Sequence, residues 1–224
     1  MRFRAASDQA VLVYLGEEIG LAAHERVLKL LAQLQKKPPD WLRNIQPAYA
    51  SLMVTFDATR VDHAEVESLL REYEKRAVVP RNTKSRCAEI PVCYGEEFGP
   101  DLEEVARIHR LKPEEVIELH CSKAYLAYFL GFAPGFAYLG DISAELATPR
   151  LDSPRKTVPA GSVGIAGKQT AIYPFTTPGG WRLIGRTPVA MFRSDRKPMN
   201  VISIGDRVTF RAISRQEFLK MESA

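Results

Sequence analysis

The residues of this chain that could do chemistry crowd into one stretch, Ser153 to Ser194. It carries Arg155, Lys156, Lys168, Arg182, Arg186 and Arg193, with Ser162, Gln169, Thr170, Tyr173, Thr176, Thr177 and Trp181 between them. It holds no Asp or Glu, although the 224 residues contain 27 acids and about five would fall here by proportion. Six glycines and five prolines break it into turns, so neither a long helix nor a plain strand ladder fits. Many donors, many tight turns and no negative charge favour a preformed surface for an anionic or strongly hydrogen-bonding ligand. A turn-rich β-domain whose basic residues are simply solvated would read the same way.

The stretch lacks a self-sufficient catalytic set. Ser162 lies in AGSVG, where Ala160 replaces the first glycine of a GxSxG elbow. No histidine follows His120, so no local base serves a serine or cysteine nucleophile. The nearest acids, Asp141, Glu145, Asp152, Asp195 and Asp206, form no paired-carboxylate spacing. There is no GxxxxGK[ST] phosphate loop, no dinucleotide fingerprint after a strand, and no metal-ligand cluster. The catalytic residues stay unassigned and no metal is expected. The chain reads as a binding surface, or as part of an active site that another protein completes.

The elements that position this stretch follow from pattern. Ala10–Leu15 is a buried strand, and Leu21–Lys36 a helix with Leu21, Val27, Leu28, Leu31 and Leu34 at helical spacing, stopped by Pro38-Pro39. Asn44–Phe56 holds one or two strands, with Leu52, Val54 and Phe56 alternating. A second helix spans His63–Arg76, with Asp62 as N-cap and Glu65 as its capping-box partner. His24 and His63 read as ordinary surface histidines. Strand, helix, strands, helix makes a small α+β sandwich over residues 1–80. The polar run Val79–Arg86 marks the boundary, and a second, mainly-β domain covers 86–224.

In that second domain Cys87–Tyr94 is a strand, and two short helices start at Asp101 (with Glu104) and at Pro113 (with Glu115). The pair resembles a helix-turn-helix, but acids open its second helix where phosphates would sit, which opposes nucleic-acid binding. Ala124–Leu139 is rich in aromatics and reads as two core strands joined at Pro134-Gly135. Its GFAPGF segment also reads as a pocket-lining loop, with Phe132, Pro134 and Phe136 against the basic stretch. Val189–Arg193 and Val208–Arg211 are expected strands, residues 214–224 a terminal helix, and the turn spacing suggests a closed or nearly closed barrel.

Composition sets the outer bounds. Hydrophobic content of 46% with 26% charged residues is that of a globular protein, and a net charge of +4 is too weak to argue for nucleic acid. Three cysteines, Cys87, Cys93 and Cys121, form no CxxC pair, so reduced thiols in a cytoplasmic protein are expected. No apolar run reaches membrane-spanning length, and no signal-peptide pattern opens the chain.

Three segments carry a resemblance. FLGFAPGFAYLG (Phe129–Gly140), PRKTVPAGSVGIAG (Pro154–Gly167) and KQTAIYPFTTPGGWRLIGRTP (Lys168–Pro188) closely resemble the 5-oxoprolinase B-subunit family. That family also contains the kinase inhibitor KipI and the allophanate hydrolase subunit 1 domain of urea amidolyase. The resemblance implies an α+β N-terminal domain followed by a cyclophilin-like β-barrel. It also implies a role in opening 5-oxoproline to L-glutamate at the expense of ATP, the ATP being used by the complex and the isolated chain being inactive. The implied partners are the C-subunit of 5-oxoprolinase, in direct contact, and its A-subunit. Alternatives within the family are a sensor histidine kinase as partner, or a carboxyltransferase role.

A carboxylate substrate suits the acid-free stretch: Arg155 and Arg182 would grip it through paired N–H donors. Backbone donors around Gly161, Ser162, Gly179 and Gly180 would face a developing oxyanion or phosphoryl oxygen. Gln169, Thr170, Tyr173 and Trp181 would complete the surface.

Overall fold

The computed structural model describes residues 1–18, 20–76 and 86–223. The chain divides into two compact units, Met1–Lys84 and Ser85–Ala224. The expected boundary, Val79–Arg86, lies outside the described residues except for Arg86 itself.

In the first unit, β1 (Arg2–Ser7), β2 (Ala10–Tyr14), β3 (Leu42–Pro47) and β4 (Ser51–Phe56) form an antiparallel sheet in the order β1-β2-β4-β3. Val11 pairs with Val54 and Val13 with Leu52, so period-two alternation places these four on one buried face. Helices α1 (Leu21–Lys36) and α2 (His63–Arg76) supply Val27, Leu30, Leu34, Val66 and Leu70 to the same core. Each such aliphatic side chain contributes about 1.5–3 kcal/mol by leaving water. The capping box of α2 forms as its sequence predicts: Asp62 Oδ1 accepts from the Glu65 N–H at 2.8 Å, and Glu65 Oε2 from the Asp62 N–H at 2.9 Å.

Two expectations in this unit fail. His24 is no surface histidine: it is 1% exposed, because the helix phase puts it with Ala23, Val27 and Leu31 on the inner face of α1. Burial holds its imidazole down at about 4. His63 is half-buried, edge-on to Phe56, with Nε2 2.9 Å from the Ser7 carbonyl. Strand β1 has no sequence signature, since RFRAAS neither alternates nor buries its side chains; backbone pairing with β2 defines it, with Arg2 over the Tyr14 ring and Phe3 under Arg71.

The second unit is a closed barrel. Its strands are β5 (Cys87–Tyr94), β6 (Tyr125–Leu130), β7 (Ala137–Gly140), β9 (Ser162–Ala166), β10 (Gln169–Ile172), β12 (Arg182–Arg186) and β13 (Arg207–Ala212). They run in the order β10-β7-β6-β13-β5-β12-β9 and close through β9 and β10. All pairs are antiparallel except β13 with β5. A separate ribbon pairs β8 (Arg155–Val158) with β11 (Thr177–Gly179). Helices α3 (Leu102–His109) and α4 (Pro113–Cys121) precede β6, and α5 (Arg215–Glu222) ends the described chain.

The barrel interior packs Ile90, Val92, Ala127, Leu139, Val163, Ile165, Ile172, Ile184, Val208 and Phe210, with Val105 and Val116 from the helices. Val189–Arg193, expected as a strand, is not one. Met191 and Arg193 exchange backbone bonds with Val201 and Met199 across a single Phe192–Asn200 bridge, and no barrel ladder continues there. Pro188, which lacks a donor, interrupts any continuation of β12. No helix among the described residues is long and apolar enough to cross a membrane.

Candidate functional site

Strands β7, β10, β9 and β12 are consecutive in the barrel wall. Alternation sends Leu139, Ile172, Val163 and Ile184 into the barrel. The opposite face carries a second cluster of Phe136, Val158, Ala166, Ala171, Tyr173, Trp181 and Leu183, with Tyr138 packed against it. The β8–β11 ribbon contributes Val158 to this outer layer. The candidate site is the rim of that layer.

Its floor is aromatic. Phe136 lies edge-on to Tyr173 at 5.3 Å and to Trp181 at 5.7 Å, and Tyr138 lies 6.0 Å from Trp181. Such edge-to-face pairs are worth about 0.5–1.5 kcal/mol beyond burial. Phe132 stands above them, 5.2 Å from Phe136 and 6.2 Å from Tyr173, and is 63% exposed. Its φ of 67° is left-handed, a conformation that costs a non-glycine residue about 1–2 kcal/mol. Pro134 is exposed in the same loop.

Arginines surround the floor. The Arg150 guanidinium lies 5.8 Å from the Trp181 ring centroid. Arg155 Nη2 donates to Asp101 Oδ1 at 2.6 Å, and Nη1 reaches the Trp181 carbonyl at 3.5 Å. Arg182 Nε donates to the Pro149 carbonyl at 3.4 Å, and its charge also acts on the Glu104 carboxylate. Burial raises the Tyr173 hydroxyl above its ordinary range, against a hydrogen bond with the Trp181 backbone and the charges of Arg150 and Arg155.

The glycines have local reasons. A Cβ on Gly179 would sit 2.5 Å from the Tyr173 hydroxyl, so only glycine lets the ribbon close over the ring. Gly161 has φ +80, and a Cβ there would meet the Thr187 carbonyl at 2.3 Å.

The structure brings Arg155, Tyr173, Gly179, Gly180, Trp181, Arg182, Phe132, Pro134 and Phe136 to this rim and its immediate support. It places others elsewhere. The Gly161 N–H donates to the Tyr173 carbonyl at 2.7 Å and the Ser162 N–H to the Pro159 carbonyl at 3.2 Å, so both donors are committed within the barrel. Gln169 sits four residues from Tyr173 at the far end of β10, about 13 Å away at ~3.3 Å per residue. Thr170 is fully buried and points inward with Ile172.

Two residues at the rim carry no sequence signal that singled them out. Arg150 stands just outside the acid-free stretch, beyond Asp152. Asp101 is the acid the stretch itself lacks. It opens α3 as expected, but its side chain does not cap that helix. Oδ1 holds Arg155, and Oδ2 accepts from the Leu183 N–H at 2.6 Å. The Asp101 N–H also donates to the Leu183 carbonyl at 2.8 Å. With Asp101 only 6% exposed, these bonds and the Arg155 charge are what make its burial tolerable.

Known proteins resemble this chain over most of its length. Residues 1–202 match the family model described as carboxyltransferase domain, subdomain C and D. The 5-oxoprolinase B-subunit of Bacillus subtilis is 46% identical over 222 residues, covering 94% of this chain and 92% of that protein. The 5-oxoprolinase B-subunit of Escherichia coli O157:H7 is 39% identical over 207 residues, covering 91% and 92%. The crystal structure of TTHA0988 superposes with a TM-score of 0.82 at 36% identity; it covers 93% of this chain, which in turn spans 40% of that longer one.

Proposed function

The chain belongs to the 5-oxoprolinase B-subunit family, and we propose that it works with the A- and C-subunits of that enzyme to open 5-oxoproline to L-glutamate. 5-oxoprolinase is an ATP-dependent hydrolase, and this chain is one component of it. The observation that carries the reading is the near full-length kinship with the B. subtilis protein, which spans both compact units.

The rim supports a share in substrate binding. Its ligand would be a small carboxylate with an amide ring, which matches guanidinium groups set over an aromatic floor. Arg182 and Arg150 take the carboxylate, while Arg155 is held in place by Asp101. Phe132 and Trp181 cover the ring, and the Gly179-Gly180 backbone edges the carbonyl that must gain charge. The C-subunit makes the direct contact with this chain and completes the catalytic set. ATP is consumed by the complex, in the cytoplasm, where the three free thiols stay reduced.

The test is 5-oxoproline-dependent ATP hydrolysis by the A- and C-subunits, with and without this chain. The reading requires that turnover depend on it. Folded partners that turn over equally well without it would refute the assignment, and a sensor kinase inhibited by the chain would replace it.

A further inference from the structure

Behind the wall that carries the rim runs a buried chain of hydrogen bonds that the proposed function leaves unused. Tyr94 Oη lies 2.8 Å from His120 Nδ1, and His120 Nε2 lies 2.9 Å from Thr170 Oγ1. Thr170 Oγ1 donates to the Gly164 carbonyl at 3.1 Å. His120 is 0% exposed, stacked on Phe210 at 4.3 Å, and Thr170 is equally buried.

The single hydroxyl proton of Thr170 fixes the direction of the whole chain. That proton goes to Gly164, so Thr170 must accept from His120, which therefore carries its proton on Nε2. Burial keeps the ring neutral, so Nδ1 is then the acceptor, and the Tyr94 hydroxyl donates to it. Helix α4 thereby reaches through the barrel interior to one carbonyl of β9.

That carbonyl lies at a decisive place. Gly164 pairs with Leu183 of β12, beside the bulge between Leu183 and Gly185. Leu183 is the residue whose N–H and carbonyl are both taken by Asp101 at the start of α3. One cross-strand pair is thus pinned from both sides, by α4 through His120 and Thr170 and by α3 through Asp101. Trp181 and Arg182 immediately precede it. A β-bulge re-aims the side chains beside it, so how this pair is held sets the direction of Trp181 and Arg182.

We propose that His120, as the neutral Nε2–H tautomer, is a positioning residue: through Thr170 it fixes the Gly164–Leu183 pair and so the aim of Trp181 and Arg182. This inference rests on the reading of the rim as a substrate site. Neither His120 nor Thr170 touches substrate.

The experiment compares wild type, Thr170→Val and Thr170→Ser in the complex reconstituted with the A- and C-subunits. Valine keeps the shape and removes the hydroxyl; serine restores it. Thr170→Val is expected to lower kcat by roughly 100-fold, the scale on which a misplacement of about 1 Å acts, and Thr170→Ser to recover most of it. Equal losses for valine and serine, or wild-type kcat for valine in an intact complex, overturn the inference while leaving the site reading standing. Turnover independent of the wild-type chain overturns both. Should the valine variant not fold, the tautomer decides: ¹⁵N-histidine spectra of the wild-type chain must show His120 protonated on Nε2, and a proton on Nδ1 overturns the proposal.

Discussion

Acid should destabilise the barrel unit through His120. Burial without a charged partner holds this imidazole down at about 3, against 6.5 in an exposed chain. A group whose folded pKa lies below its unfolded value binds more protons when unfolded. Its stabilising effect is therefore complete above about pH 6.5 and is lost as the pH falls. Between pH 7 and pH 5 the unfolded imidazole becomes almost fully protonated while the folded one stays neutral, which costs about 2 kcal/mol. The figure hardly depends on the folded value so long as that lies below about 4. For a chain of this size 2 kcal/mol corresponds to a midpoint shift of roughly 4–8 °C.

The assay is urea unfolding at pH 7 and pH 5, in wild type and in His120→Gln, which stays neutral at both. Trp41 and Trp181 are the two tryptophans, one in each unit. Replacing Trp41 by Phe leaves Trp181 as the reporter of the barrel. Wild type should lose about 2 kcal/mol more than His120→Gln over this interval. Equal losses would mean that His120 titrates normally in the folded protein, and would refute the reasoning from burial.

Other perturbations follow from the rim. Gly179→Ala pushes a methyl into the Tyr173 hydroxyl and should cost about 1–3 kcal/mol in urea unfolding; adding Tyr173→Phe should recover only part of it, since ring carbons lie 2.8 Å from that position too. Asp101→Ala leaves the Arg155 guanidinium and the Leu183 N–H without their partner. It should cost roughly 3 kcal/mol, the low end for a broken buried pair because Arg155 keeps 28% side-chain exposure; a loss below about 1 kcal/mol would contradict the pinning role. Phe132→Gly relieves a left-handed backbone but loses edge-to-face contacts with Phe136 and Tyr173 of similar worth, so it should leave stability within about 1 kcal/mol while raising KM for 5-oxoproline. Unchanged kinetics would remove Phe132 from the site.

Much of the architecture was legible in the sequence because it rests on local rules. Helix α1 follows from apolar periodicity and from Pro38-Pro39, and α2 from a capping box that forms as written. The three glycine-rich segments carried the family resemblance, since long motifs of turn residues tolerate few substitutes. Gly179 and Gly161 show the physical cause, each having no room for a Cβ. The edge strand β1 and the failed strand at Val189–Arg193 mark the limit of such rules. An edge strand needs only backbone partners, and the apolar run after Pro188 finds none in the barrel.

The site was legible only as a composition. The sequence showed arginines, aromatics and an absence of acids between Ser153 and Ser194, a composition that fits an anion-binding surface and a solvated basic face alike. Which residues share that surface was decided by the barrel. Alternation along β10 and into Tyr173 sends Tyr173 outward and Thr170 inward, and strand length separates Gln169 from Tyr173. Asp101 and His120 come from helices far back in the chain, yet they converge on the Gly164–Leu183 pair because the wall closes over α3 and α4. Local physics fixes what each segment can be; which distant carboxylate or imidazole meets a given strand depends on packing, and packing is a property of the whole barrel.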